Sequence, residues 1–168
     1  KKYPEIQKAG QFVGRKAGLA NTTSANNTVV GSFAFTANTT GANNVAIGKS
    51  ALTANTTADN NIAVGFEALD ANTTGANNVS IGKGSLSANT TASNNSALGF
   101  HTLFSNTTGA NNTAIGYASM AINGTGANNT ALGVSSLYSN TTADNNTAVG
   151  YQALQDNTTG ANNTAVGY

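Results

Sequence analysis

Gly14, Gly31, Gly48, Gly65, Gly82, Gly99, Gly116, Gly133, Gly150 and Gly167 stand 17 residues apart, with no insertion or deletion between any two of them. A fixed period of this length running through a whole chain is the signature of a solenoid, in which each repeat forms one coil and buries its apolar side only by stacking on its neighbours. The clearest copy of the unit is Asn111 to Tyr117, Asn-Asn-Thr-Ala-Ile-Gly-Tyr. Coil positions are counted here from that first Asn, so the periodic glycine is position 6. The consensus then reads Asn-Asn-Thr-Ala-(Ile/Val)-Gly-Tyr-x-Ala-Leu-x-x-Asn-Thr-Thr-Gly-Ala.

Positions 3 to 7 predict a short strand. Position 5 is always an aliphatic residue (Val13, Val30, Ile47, Val64, Ile81, Leu98, Ile115, Leu132, Val149, Val166). With side chains alternating along a strand, positions 3, 5 and 7 share one face and positions 4 and 6 the other. The reading places the bulky face inward, with position 5 joined in the interior by position 10, which is Leu52, Leu69, Leu86, Leu103, Met120, Leu137 and Leu154, with Phe35 earlier. The opposite stripe of Ala46, Ala63, Ala97, Ala114, Ala131, Ala148 and the glycines is expected to lie against a neighbouring chain, the alternative being the chain's own opposite strand in a thin, flattened coil. A second strand is expected around positions 8 to 11, and positions 12 to 2 carry turn chemistry.

A helix is excluded by the β-branched residues, Asn and Gly and by the absence of an i, i+3, i+4 stripe. Unstructured low complexity does not account for positions 5, 6 and 10 keeping their character while positions 8 and 11 vary. The fold class expected is all-β, a parallel β-solenoid or β-roll of about ten 17-residue coils. Coils ~4.8 Å apart would make a rod roughly 45–50 Å long. Each coil holds two or three large apolar groups worth ~1.5–3 kcal/mol apiece, against ~1–2 kcal/mol of backbone entropy per ordered residue, so a coil stands only in a stack.

Residues 1–11 depart from the repeat and contain Pro4, and are expected to form an N-terminal cap or linker; residues 12–168 form the solenoid. The chain begins Lys1-Lys2 without a Met or a signal-like segment, which suggests a mature product or a fragment. It ends in mid-coil at Tyr168, an edge that a continuation of the chain or another subunit would cover. A second period of 34 overlies the first: Lys49 and Lys83 alternate with Phe66 and Phe100 at position 7, and Gly41-Ala42, Ala58-Asp59, Gly75-Ala76 and Ala92-Ser93 alternate at positions 16 and 17.

Charged residues are 8% of the chain, far below the roughly 25% of an average domain, and the net charge is +1. This gives no electrostatic case for nucleic acid. No apolar run approaches the ~20 residues needed to cross a bilayer, so no membrane insertion is expected of this segment. Cysteine is absent, which removes disulfides and thiolate metal sites. His101 is the single histidine, read as a turn residue, and the six acids Glu5, Asp59, Glu67, Asp70, Asp144 and Asp156 are scattered; Asp59 and Asp144 share position 17 five coils apart. Gly48-Lys49-Ser50 imitates the end of a phosphate-binding loop, but its upstream glycine is replaced by Asn43. No enzyme, cofactor or metal is expected.

Asn-x-Thr/Ser sequons recur at position 13, making Asn21, Asn38, Asn55, Asn72, Asn89, Asn106, Asn123, Asn140 and Asn157 candidate glycosylation sites. The competing reading is a ladder of stacked amides, which explains coil-to-coil recurrence better than a modification does. Adjacent Thr at positions 14 and 15 raise ice binding, but in an extended strand they would point opposite ways. The position 7 aromatics Phe66, Phe100, Tyr117, Tyr151 and Tyr168 are expected to pack over the edge of the position 5 layer, with stacking on sugars as their functional alternative.

The heart of each coil, for instance Asn44-Val45-Ala46-Ile47-Gly48-Lys49-Ser50, resembles the head repeat of YadA-like trimeric autotransporter adhesins. The longer stretch from Asn145 to Asn157 also resembles repeats of bacterial and phage tail-fibre proteins. The resemblance covers about residues 12–168, although the coil is longer than is usual in those heads. It implies a left-handed roll in a non-enzymatic extracellular fibre or adhesin head, at a cell surface or on a virion tail. Partners on this reading are copies of the chain, as a trimer or a head-to-tail filament, and a host or surface glycan or protein. The alternative class is an ice- or glycan-binding solenoid.

Overall fold

A computed structural model describes residues 10–168; the greater part of the expected cap, residues 1–9, lies outside the described residues. Ten strands follow one another in a single parallel sheet: β1 (Gln11–Val13), β2 (Thr28–Val30), β3 (Val45–Ile47), β4 (Ile62–Val64), β5 (Val79–Ile81), β6 (Ser96–Leu98), β7 (Thr113–Ile115), β8 (Thr130–Leu132), β9 (Thr147–Val149) and β10 (Thr164–Val166). Each pairs with the next in chain order, and the register is the repeat itself, as in Thr113↔Thr130, Ala114↔Ala131 and Ile115↔Leu132. The protein is an all-β solenoid of 17-residue coils. Gln11, at the margin of the expected cap, opens the first strand.

Only positions 3 to 5 are strand; the rest of each coil is turn, yet it stays tied to its neighbours. In one coil Leu52 N donates to Ala68 O, Ala54 N to Asp70 O and Thr56 N to Thr73 O, and later Asn60 N donates back to Ala42 O. Inter-coil bonding thus runs round the perimeter, meeting the demand of buried backbone for partners without further sheets.

Two sequence expectations are corrected. Positions 8 to 11 are not a strand: positions 8 and 10 both sit in the left-handed region, as at Ser50 (φ 59°) and Leu52 (φ 53°), or His101 and Leu103 (both φ 50°). The two kinks curl the chain so that consecutive residues 9 and 10 both point inward, which an extended strand cannot do. Each non-glycine residue held there costs of order 1 kcal/mol, and at position 10 burial of the Leu side chain, worth ~1.5–3 kcal/mol, offsets it. Leu52, Leu69, Leu86, Leu103, Met120 and Leu137 are fully buried.

The strand faces are also the reverse of the expectation. Position 4 points in: Ala46, Ala63, Ala114 and Ala148 are fully buried in the core with the position 10 row. Position 5 points out, with Ile115 38% and Leu132 45% exposed. The small-residue stripe therefore packs inside its own coil rather than against a neighbouring chain. The room that an aliphatic side chain would need there is occupied by the position 10 Leu, brought in by the left-handed turn.

Glycine at position 6 follows from geometry. Gly116 has φ 131°, and a Cβ built on it would lie 2.5 Å from the carbonyl oxygen of Gly133 in the next coil. Both the dihedral and the close backbone approach exclude a side chain.

Candidate functional site

Outward alternation places positions 3 and 5 in two columns along the sheet. The position 5 column is aliphatic throughout and is exposed at Val30, Ile47, Ile81, Leu98, Ile115 and Leu132. The position 3 column is Val45, Ile62 and Val79 in β3 to β5, and Thr113, Thr130, Thr147 and Thr164 in β7 to β10. Because the strands pair without a register shift, the columns are continuous along the rod. Scattered surface aliphatics are ordinary in soluble proteins; a contiguous row of this length is not.

Position 7 forms a third row beside them. The rings stack on one another and on cations. Lys49 Nζ lies 5.4 Å from the Phe66 ring centre, Lys83 Nζ lies 5.7 Å from Phe66 and 5.6 Å from Phe100, and Phe100 stacks on Tyr117 at 5.4 Å. The 34-residue period thus alternates cation and ring, an arrangement in which each Lys meets the negative face of an aromatic rather than another Lys.

The same long period has a second physical cause at position 17. Asp59 Oδ1 accepts from Ala42 N at 2.7 Å, Ser93 Oγ from Ala76 N at 3.0 Å, and Asp144 Oδ1 from Ala127 N at 2.7 Å. A side chain with an acceptor at position 17 serves the backbone of the preceding coil, whose own position 17 is Ala. Asp59 and Asp144 are placed far apart, each on this duty. Burial pushes the Asp70 carboxyl above its ordinary range, opposed by a hydrogen bond from Ser87 Oγ at 2.8 Å. No cluster of three or more His, Asp or Glu that would hold a metal occurs among the described residues. His101 stacks on Phe100 at 3.9 Å and meets Phe104 in a tilted contact at 4.7 Å.

The candidate glycosylation residues line the interior. Asn38, Asn55, Asn72, Asn89, Asn106, Asn123 and Asn140 are fully buried, while Asn21 and Asn157 are partly so at the two ends. Asn106 Nδ2 donates to Asn89 Oδ1 at 3.0 Å and to Gly109 O at 3.0 Å, and the same pair of bonds recurs along the row. The amide ladder is present, and a glycan on such a nitrogen would displace one or both bonds. A second ladder runs at position 2, where each backbone N–H donates to the Asn Oδ1 of the preceding coil, as Asn112 N to Asn95 Oδ1 at 2.9 Å. Asn146 Nδ2, in this row, is the one buried side-chain polar atom without a partner among the described residues.

The threonines at position 14 direct their hydroxyls along the rod, Thr56 Oγ1 to Thr73 O at 3.2 Å and Thr90 Oγ1 to Thr107 O at 3.2 Å. They are occupied in holding coils together. Sequence reasoning missed the outer aliphatic face because Ile and Val look like core residues; the signal that would have revealed it is the Ala at position 4, which fits a coil too thin for two bulky rows.

These features define a class: a tandem-repeat β-solenoid with laddered amides inside and a continuous aliphatic column outside. No protein-family model matches the chain, and comparison with curated proteins and with solved structures likewise gave no match.

Proposed function

We propose that this chain is a non-enzymatic structural segment of an extracellular fibre or adhesin head, a rigid rod that assembles with copies of itself through its outer sheet face. The observation that carries the reading is the unbroken aliphatic column of position 5, exposed in coil after coil. Ten strands ~4.8 Å apart and about 10 Å wide offer roughly 480 Å² per copy, or about 960 Å² for a pair. That lies at the threshold of about 1,000 Å² for a specific interface, and the adjoining position 7 row extends it. A cyclic trimer, as the likeness to YadA-like heads implies, turns all three faces to one axis and leaves no open side. Exterior use is supported by a surface that draws its solubility from Asn and Thr rather than charge.

The test is sedimentation of the purified chain beside an Ile115→Lys, Leu132→Lys double variant. The expected result is a discrete oligomer for the unaltered chain and a folded monomer for the variant. A monomer for the unaltered chain at high concentration overturns assembly through this face, and images of long end-to-end filaments with the face uncovered favour head-to-tail stacking instead.

One observation favours ice adsorption as the second reading: Thr113, Thr130, Thr147 and Thr164 stand in register beside Ile115, Leu132, Val149 and Val166. The column turns aliphatic in β3 to β5, which suits a protein contact better than a hydrated lattice.

A further inference from the structure

On the turn side of the rod, positions 8 and 11 vary freely, and in one coil both are reduced to alanine. Ala118 and Ala121 lie between a coil bearing His101 and Phe104 and a coil bearing Ser135 and Tyr138 at the same two positions. The result is a half-open notch of about 290 Å³ with those side chains, Tyr117 and Ile122 on its margin. It is one tooth missing from a comb. Gly84, in the coil before His101, helps to open it: a Cβ there would lie 2.7 Å from His101 Cδ2 and 3.5 Å from Phe104 Cδ2. The two rings therefore rest over glycine backbone, on the side away from Ala118.

We propose that this notch is a binding site for one neutral pyranose ring of a glycan. The walls are two coils apart, about 9.6 Å by strand spacing. A flat ring held between two surfaces needs only about 7–8 Å, whereas a saturated chair with its axial C–H bonds fills more of the gap. The chemistry agrees. Phe104 and Tyr138 line the notch with aromatic rings, whose π faces carry a negative potential that attracts the C–H bonds of a sugar. Hydroxyls of Tyr117, Tyr138, Ser105 and Ser135 and the ring nitrogens of His101 provide orienting hydrogen bonds, while no Lys, Arg, Asp or Glu lines the notch. A mixed aromatic and hydroxyl lining without charge suits a ligand that has apolar faces and a polar rim and bears no charge. Single-ring affinity would be weak, and an assembly carrying one notch per chain would multiply it. The proposal deepens the attachment reading above, and its titration fails independently of the sedimentation test.

The experiment is an amide-shift titration of the chain with methyl glycosides of glucose, galactose and mannose, with p-cresol as a flat aromatic competitor. At least one glycoside should shift Ala118, Ala121 and Tyr138 saturably. Ala121→Phe restores at position 11 the aromatic that Phe104 and Tyr138 already carry there, so it should fold with an unchanged melting temperature and weaken that glycoside at least about tenfold. Absence of saturable shifts with every glycoside overturns the proposal, as does retention of binding in a folded Ala121→Phe variant. A p-cresol response at the same amides below the concentration needed for any glycoside overturns it in favour of an aromatic side chain of a partner protein. Should the variant fail to fold, the titration of the unaltered chain decides alone.

Discussion

Asn44 and Asn55 donate to one acceptor: Asn44 Nδ2 reaches the carbonyl of Ala58 at 2.9 Å and Asn55 Nδ2 reaches it at 3.1 Å. Two ladders from opposite parts of the coil therefore converge on position 16, and the same clasp recurs at Gly75, Ala92, Gly109, Gly126 and Ala143. Each coil from β3 to β8 has one large, fully buried apolar residue, its position 10 Leu or Met, so satisfied amides take over the part that hydrophobic bulk plays in a globular core.

The ladders should be intolerant of charge. In Asn106→Asp a carboxylate replaces the amide that faces Asn89 Oδ1 and Gly109 O, losing two donors and setting negative charge against two oxygens. A loss of about 3 kcal/mol or more is expected in urea unfolding. Asn111→Asp, at the exposed position 1, should cost under about 1 kcal/mol. Equal losses would show that the buried amides are not what holds the coil.

Strand faces are tested by neighbours in β7. Ala114→Asp places a carboxylate in the closed interior, where no cation is buried among the described residues, and should prevent folding or cost at least about 4 kcal/mol in thermal melts. Ile115→Asp points into solvent and should leave the isolated rod within about 1 kcal/mol of its original stability, with the damage confined to assembly. The opposite ranking would return the aliphatic column to the core.

How much of this was legible in the sequence follows from where symmetry speaks and where it is silent. Repetition of Gly48, Gly65 and their equivalents fixes the coil length and the parallel register, because every ladder must meet itself. The inward or outward sense of Ala114 against Ile115 is not contained in the period; the bulk of position 5 pointed the wrong way, and only the small Ala at position 4 pointed to a thin coil. That sense depends on left-handed turns at residues such as Ala118 and Met120, φ 52° and 50°, which neither residue type announces. The asparagine ladder was legible, since stacking needs identity at the same position. The notch beside Ala121 was not, because it is a departure from the repeat and becomes a shape only when adjacent coils are laid side by side.

Whole coils should be removable. Deleting residues 77–93 joins Ala76 to Asn94 and keeps every position aligned, so the shortened rod should melt within a few degrees of the original. Deleting Ser87 alone shifts Asn89 out of line with Asn72 and Asn106 and should cost about 3 kcal/mol or more. Calorimetry showing equal melting temperatures for the two deletions would contradict the stacked-coil architecture.

Two glycines one ladder apart should respond oppositely. Gly116→Ala forces a side chain into φ 131° and onto the Gly133 carbonyl, and should destabilise by at least about 2 kcal/mol because the obstacle is backbone that cannot swing aside. Gly124 stands at position 14, where other coils have Thr; it has no such dihedral, and the nearest atom to a Cβ there is Thr141 O at 3.4 Å. Gly124→Thr restores the consensus, narrows the unfolded ensemble and permits a hydroxyl bond along the rod like that of Thr107 Oγ1 to Gly124 O at 2.9 Å. A gain of about 0.4–1 kcal/mol is expected. Denaturant melts of the two variants check the pair: a loss at Gly124→Thr as large as that at Gly116→Ala would mean that position 14 is tighter than its geometry shows and that its threonines are not the source of inter-coil stability.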